Sequence, residues 1–259
     1  MNTLGLIETI KVVNGRLVFK NLHIERLNNG LKLLNVPINI YQLEDRILRL
    51  LKYECLSKGL KNIKLRIEVQ KNRLHEYMPE IGELKWNITI KPLEQNKFTL
   101  NEKSIKIGVF LKDKKIIDEF SNLKHTDREI YSRAYAFATE NNLNEALVFN
   151  TQNFLADATI YNVFIVKDKK IYTPTLADAP VDGTGRKLLL NRIKQLNIIE
   201  KNITVEDVYM ADEIFLTNAI KGIQIATHLE DKILDNDISI QVFNEFKATV
   251  AEHYGEDLV

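Results

Sequence analysis

The sequence predicts an α+β protein of two units, on the basis of its length, its composition and the order of its periodic segments. The 259 residues fit one large domain or two modest ones, and a chain of this length buries a sizeable core. Hydrophobic residues make up 45% and charged residues 27%, values typical of a globular protein and not of a disordered chain. One strand hairpin, two helices and then consecutive strands predict helices packed on one face of a sheet.

The elements of the first unit follow from local patterns. Residues 6–13 alternate in a strand pattern and lead through Asn14-Gly15 into 17–19, which is a strong hairpin signal. Leucines at helical spacing predict a helix over 23–34, and a longer apolar stripe predicts another over 41–59. Alternating apolar residues then predict three strands, over 63–69, 86–90 and 105–109.

A polar, aperiodic stretch over 113–123 predicts the linker to the second unit. We therefore expect a small α+β domain over 1–115 and a larger domain over 116–259. A helix is predicted over 126–141, with Thr126 as N-cap and Glu129 three residues on. Further strands are predicted over 145–149, 161–166, 171–173 and 212–216, and a further helix over 185–196.

Charge and composition exclude several classes of protein. Lys plus Arg number 36 and Asp plus Glu 35, so there is no overall electrostatic footprint for nucleic acid or an anionic membrane. No apolar stretch approaches the ~20 residues that span a bilayer. Cys55 is the single cysteine, which predicts no internal disulfide and a cytoplasmic location. The five histidines have no metal-ligand spacing, so no metal site is expected.

Three short segments are candidates for chemistry from their residues alone. Gly183-Thr184-Gly185-Arg186 opens a predicted helix, where free amides favour an anion and glycines let a phosphate approach; a plain helix-entry turn is the alternative. Thr217-Asn218-Ala219 ends a predicted strand and presents polar groups, as an ordinary turn also does. Lys124-His125 opens the second unit, where a lone lysine is usually exposed to solvent. These residues predict a two-unit protein with a candidate phosphate site.

A series of segments, in one order and spacing, carries a resemblance over nearly the whole chain. The segments are 8–11 before Asn14-Gly15, 23–27, 123–125, 145–148, 161–164, 172–174, Gly183 with Arg186, and 211–219. Together they resemble the fold-type IV pyridoxal-phosphate enzymes, also called class IV aminotransferases. The resemblance implies a fold like that of D-amino-acid aminotransferase, with a small α/β domain and a larger barrel-like β domain with helices.

The resemblance also implies residue roles. Lys124 matches the lysine that forms the Schiff base with pyridoxal phosphate, and Arg26 matches the arginine whose fork holds the phosphate. Thr184-Gly185 and Asn218-Ala219 lie in the two loops whose amides complete the phosphate site. Asp157 stands where the family has a glutamate that faces the pyridine nitrogen and keeps it protonated.

The chain departs from the family pattern at several of these positions. Thr3-Leu4-Gly5 stands where the family has a Gly-Asp-Gly turn, and the family's first strands are missing. Thr184-Gly185 replaces the commoner Ile-Thr, which shifts or removes a phosphate-binding hydroxyl. Asp157 carries its carboxylate on a stem one methylene shorter than the usual glutamate.

Three functions follow from the resemblance. Lys124-His125 followed by Arg128 resembles the Lys-His-x-x-Arg of aminodeoxychorismate lyases, which form p-aminobenzoate and pyruvate in the folate pathway. The alternative is a branched-chain or D-amino-acid aminotransferase. Arg73 and His75 resemble the Arg-x-His carboxylate trap of the D-amino-acid enzymes, although the same residues also fit an ordinary surface loop. A third possibility is a catalytically weakened relic that still binds pyridoxal phosphate. In each active case the resemblance implies a small-molecule amino substrate and a homodimer.

Overall fold

A computed structural model describes residues 4–36, 38–71, 84–193 and 195–259 and divides the chain into two compact units. The first unit is Met1–Asn96 with Leu123–Asp127, and the second is Lys97–Asn122 with Arg128–Val259. This division differs from the sequence boundary at residue 115. The strand before that point pairs with second-unit strands, whereas 123–127 pairs with the first strand of the chain.

The first unit is an antiparallel sheet of four strands with two helices. Its elements are β1 (Gly5–Val13), β2 (Arg16–Leu17), α1 (Lys20–Leu33), α2 (Ile40–Leu50), β3 (Ile63–Lys71) and β4 (Leu84–Pro92). The strand order is β2-β1-β3-β4. Asn14 and Gly15 both adopt positive φ, 51° and 76°, as a two-residue turn matched to strand twist requires. The predicted hairpin and the strands β3 and β4 are therefore confirmed.

The two helices of the first unit bury a narrow apolar stripe each. In α1 this stripe includes Leu27 and Leu31, and in α2 it includes Leu43 and Ile47. The predicted helix over 41–59 is α-helical only to Leu50 and continues as a π turn over Leu51–Cys55 and a 3-10 turn over Leu56–Lys58. Cys55 is buried there, as expected of a free cysteine on a helix.

The second unit contains two five-stranded sheets. Its elements are β5 (Lys106–Lys115), α3 (Glu129–Glu140), β6 (Glu145–Asn150), β7 (Leu155–Ala158), β8 (Asn162–Lys167), β9 (Lys170–Thr173), α4 (Thr184–Arg192), β10 (Ile198–Glu200), α5 (Val205–Tyr209), β11 (Glu213–Asn218), β12 (Gly222–Ile225), β13 (His228–Leu229), β14 (Lys232–Ile233) and α6 (Asp237–Tyr254). The sheet orders are β10-β9-β8-β11-β12 and β14-β13-β5-β6-β7. Fully buried residues from both sheets, such as Leu147 and Leu216, share one core. None of the helices in the described ranges is long and apolar enough to cross a membrane.

The start of α3 corrects the sequence prediction. Thr126 is not its N-cap, because the helix begins at Glu129 and the Thr126 hydroxyl accepts a hydrogen bond from the Gly5 amide at 3.0 Å. The predicted linker over 113–123 is also wrong in its first residues, because β5 continues to Lys115 and pairs there with Asn150. Both differences arise from contacts with residues far away in the sequence.

Candidate cofactor site

Lys124 lies in the first unit, on a short extended segment beside β1. The Ile7 amide donates to the Lys124 carbonyl at 2.7 Å, and the Thr126 amide donates to the Gly5 carbonyl at 2.8 Å. His125 forms a β-bridge with Leu6. The backbone of Lys124 is thus fixed to the strand that carries Glu8, and its side chain is half-buried.

Arg26 lies on α1 and is held by the carboxylate of Glu8. Its Nε donates to Glu8 Oε1 at 2.8 Å and its Nη2 donates to Glu8 Oε2 at 2.6 Å. His23, one turn earlier on α1, places Nδ1 2.6 Å from the same Oε2. All three side chains are buried, so the bidentate pair fixes the plane of the guanidinium.

The charges of this cluster set the protonation of its members. Burial alone would raise the pKa of Glu8, but the charges and hydrogen bonds of Arg26 and His23 outweigh it and lower the pKa to about 2. Burial lowers the pKa of His23 despite the opposing effect of Glu8, and the charges of Arg26 and Lys124 lower it further. Glu8 is therefore an anion at neutral pH, and Lys124 is close enough to the cluster to act on His23.

In the second unit, α4 presents its N-terminus without a side-chain cap. Gly183 occupies the N-cap position in an extended conformation, and no side chain caps the first turn. The first amides of a helix have no intrahelical partner and carry positive partial charge. Gly183 also packs closely, since a Cβ there would lie 1.8 Å from Asn162 Oδ1. Anion binding at this turn stays a prediction, to which the uncapped helix terminus is suited.

A buried hydroxyl faces this helix terminus. Thr217, near the end of β11, is 1% exposed, and its Oγ1 has no hydrogen-bond partner among the described residues. A Cβ at Gly185, in the first turn of α4, would lie 2.4 Å from that oxygen. The absence of a side chain at Gly185 therefore leaves room for the Thr217 hydroxyl. A bound phosphate would give this oxygen the hydrogen-bond partner that it lacks among the described residues.

The turn after β11 completes this region. Asn218 Oδ1 accepts hydrogen bonds from the amides of Ile220 at 3.0 Å and Lys221 at 2.8 Å. This side-chain turn holds Ala219 between them, and Asn218 and Ala219 are half-buried. Thr184, Gly185, Thr217, Asn218 and Ala219 all belong to the second unit, in which α4 packs against β11.

Asp157, on β7, is surrounded by donors from its own unit. Its Oδ2 accepts from Lys115 Nζ at 3.0 Å, from the Tyr131 hydroxyl at 2.7 Å and from the Val181 amide at 3.0 Å. Its Oδ1 accepts from Asn162 Nδ2 at 3.0 Å and from Val181 again at 3.2 Å. A carboxylate has about four acceptor positions, so these donors fill it.

The donors around Asp157 are themselves buried and interlinked. Lys115 Nζ also donates to the Tyr131 hydroxyl at 2.6 Å. Burial lowers the pKa of Lys115 against the raising effect of Asp157, and burial together with Asp157 raises the pKa of Tyr131 well above its usual value. Asn162 Nδ2 donates to the Val181 carbonyl at 2.7 Å and links the network to the turn before α4.

The predicted site residues fall into two groups, one in each unit. Lys124 and Arg26 belong to the first unit, and Asp157 with the two phosphate-loop pairs belongs to the second. Arg73 and His75 lie outside the described residues. Glu8, Lys115 and Tyr131 take part in these networks, but nothing in the sequence assigned them a role. Thr217 belongs to a segment that its polar residues singled out, and the structure adds that its buried hydroxyl lies opposite Gly185.

The two ends of the second-unit group fit pyridoxal phosphate differently. The helix terminus with the unpartnered Thr217 hydroxyl fits a phosphate, because it offers amides and a buried donor without a competing side chain. The carboxylate of Asp157 carries the negative charge that the resemblance places opposite the pyridine nitrogen. Its acceptor positions, however, are filled by protein donors.

Comparisons with known proteins identify similar chains. The sequence profile of the family described as "Amino-transferase class IV" matches residues 5–229. An aminodeoxychorismate lyase of Vibrio harveyi is 25% identical over 228 residues, which cover 85% of this chain and 80% of that protein. A branched-chain-amino-acid aminotransferase of Pseudomonas aeruginosa is 36% identical over 76 residues, which cover 29% and 24%. The crystal structure of 4-amino-4-deoxychorismate lyase from Pseudomonas aeruginosa superimposes with a TM-score of 0.81 at 18% identity, over 96% of this chain and 91% of that one.

Proposed function

Because this chain belongs to the class IV aminotransferase family, whose members depend on pyridoxal phosphate, we propose that it is a 4-amino-4-deoxychorismate lyase. The reaction cleaves the substrate into p-aminobenzoate and pyruvate. The observation that carries the cofactor part of the proposal is the buried, unpartnered Thr217 hydroxyl opposite Gly185 at the start of α4. The long match to a lyase sequence supports the choice of reaction.

Lys124 is the proposed catalytic residue. When bound, pyridoxal phosphate supplies an electron sink for the carbon that loses a proton. The Lys124 amine is the group that removes this proton and returns one, and an amine can serve in both directions. The hydrogen bond between the Ile7 amide and the Lys124 carbonyl holds the backbone from which this side chain extends.

Each unit offers groups of the kind that bind a phosphate. Arg26 supplies a guanidinium whose plane is fixed by two hydrogen bonds to Glu8. In the second unit, Thr184 and Gly185 would supply helix-terminal amides and Thr217 a hydroxyl, and the resemblance adds the turn at Asn218-Ala219 as the second phosphate loop. Backbone amides and a guanidinium are the donors that bind phosphate most effectively in proteins.

A branched-chain or D-amino-acid aminotransferase is the second candidate. The local match of 36% identity to a branched-chain aminotransferase favours it. That match covers 29% of this chain, whereas the lyase match covers 85%. The Lys-His-x-x-Arg pattern at 124–128 also resembles the lyases, so we place the lyase first.

The release of pyruvate without an amino acceptor distinguishes the candidates. The purified protein with pyridoxal phosphate is given 4-amino-4-deoxychorismate and no keto acid, and pyruvate and p-aminobenzoate are measured. We expect equal amounts of both products, none from Lys124→Ala, and unchanged release from the exposed control Lys112→Ala. Amino transfer that requires a keto acid would establish the aminotransferase, and neither reaction from cofactor-bound protein would establish the inactive relic.

We further propose that the protein is a cytoplasmic homodimer. The homodimer rests on the resemblance to family members, and the cytoplasmic location rests on the single buried cysteine. Light scattering of the active protein tests the first part, since a fully active monomer would contradict it.

A further inference from the structure

The buried group around Asp157 points to a departure from the chemistry that the family resemblance implies. Asp157 is 2% exposed and Lys115 is 5% exposed, and the lysine ammonium lies 3.0 Å from Oδ2. A buried carboxylate that faces a cofactor nitrogen needs an acceptor position open toward it. Here the four acceptor positions of Asp157 are matched by four donors of the protein, of which the Val181 amide is shared between both oxygens.

We propose that Lys115 is the counter-ion of Asp157, and that Lys115 and Tyr131 together keep this carboxylate from binding a protonated cofactor nitrogen. Lys115 balances the negative charge, and the donors from Tyr131, Asn162 and Val181 occupy the remaining lone pairs. A ring nitrogen brought to Asp157 then meets neither a net negative charge nor an open acceptor. Its pyridine form is favoured over its pyridinium form, because nothing compensates the added positive charge.

The surroundings of Lys115 support an ion pair between Lys115 and Asp157. Lys115 Nζ lies at the hydroxyl end of Tyr131, 2.6 Å from its oxygen, and Arg128 Cζ lies 4.7 Å from the centroid of the same ring. The charge of Arg128 opposes a charged Lys115, whereas those of Asp157 and Asp118 favour it. Asp157 is both the nearest of these carboxylates and a direct hydrogen-bond partner. Lys115 and Tyr131 are thus positioning residues that act through Asp157.

A double-mutant cycle on the cofactor-free protein tests the pair without reference to any activity. Lys115→Met and Asp157→Asn each leave a buried group without its partner, and each is expected to lower the midpoint of chemical unfolding strongly. The double variant is expected to recover most of that loss, because no buried charge is left uncompensated. The neighbouring Lys114→Met is the matched control and is expected to leave the Asp157→Asn effect unchanged. Additive effects of Lys115→Met and Asp157→Asn would overturn the pair.

The nitrogen-15 resonance of ring-labelled pyridoxal phosphate tests the consequence, which rests on the proposed cofactor. In the wild-type protein we expect the resonance of an unprotonated pyridine nitrogen at neutral pH. Tyr131→Phe removes one donor and keeps the aromatic ring, so it opens one acceptor position on Asp157. We expect this variant to shift the resonance toward the protonated form, and Lys115→Met to shift it further.

A protonated ring nitrogen in the wild type would overturn this inference and leave the proposed lyase intact. Absence of any bound resonance would instead contradict the proposed function, while the cycle on the cofactor-free protein still decides the Lys115–Asp157 pair.

Discussion

Replacing Glu8 by Gln should lower the free energy of unfolding, and the size of the loss measures how strongly the buried carboxylate stabilises its cluster with Arg26. Burial opposes the charge of Glu8, yet its neighbours lower its pKa from 4.5 to about 2. A lowering of this size corresponds to about 3 kcal/mol of folding free energy at neutral pH. This free energy agrees with the cost of roughly 3–5 kcal/mol for breaking a buried ion pair by removing one partner.

The assay is chemical unfolding of the wild type and of Glu8→Gln at several pH values. Because the folded-state pKa lies below the unfolded one, the contribution of Glu8 is present above pH 4.5 and is lost as the pH falls toward 2. The difference between the two proteins should therefore shrink from about 3 kcal/mol at pH 7 to about 1.5 kcal/mol at pH 3.

A second carboxylate in the same sheet supplies the control for this experiment. Glu68 pairs with Arg66 on β3, where both side chains are partly exposed, so Glu68→Gln should cost less than about 1 kcal/mol. A Glu8→Gln effect as small as this, or one that does not change between pH 7 and pH 3, would refute the reasoning.

Three further predictions follow from the described contacts. Thr217→Val should weaken the binding of pyridoxal phosphate by at least about tenfold, since a hydrogen bond to a charged group is lost, whereas the exposed Thr139→Val should not change the titrated Kd. Burial raises the pKa of Glu145 to about 8, so the unfolding free energy should fall as the pH rises from 4.5 to 8. Glu145→Gln should reduce this dependence on pH, and an unchanged dependence in the variant would exclude Glu145 as its source. Thr126→Ala should lower the thermal midpoint of unfolding by only a few degrees, roughly the value of one hydrogen bond to Gly5, without altering the helix content measured by circular dichroism, because Thr126 does not cap α3.

The parts of the fold that local sequence determines could be predicted. The hairpin at Asn14-Gly15 follows from two residues that tolerate positive φ between alternating strands, and β3 and β4 follow from alternation alone. The α3 start could not be predicted in this way. Thr126 has the local pattern of a capping residue, but its hydroxyl is used by Gly5, which lies 121 residues earlier.

The candidate site shows the same division. Family resemblance singles out Lys124, Arg26, Asp157 and the two phosphate loops, because each stands at a matching place in the family pattern. The partner of Asp157 could not be predicted in this way, because Lys115 lies 42 positions away and β7, which carries Asp157, is a four-residue strand buried throughout. The partnership of Thr217 with Gly185 is likewise a contact between a strand end and a helix start that no local pattern contains.

The visible absorbance spectrum of the protein with pyridoxal phosphate, measured beside that of Lys124→Ala, tests the central claim most directly. We expect a cofactor band in the wild type that differs from free pyridoxal phosphate, since we propose that the cofactor is bound covalently through Lys124. The band should be abolished or shifted in Lys124→Ala and retained in the exposed control Lys112→Ala. Identical spectra of wild type and Lys124→Ala that show only free cofactor would contradict the assignment of Lys124 and, with it, the proposed enzyme.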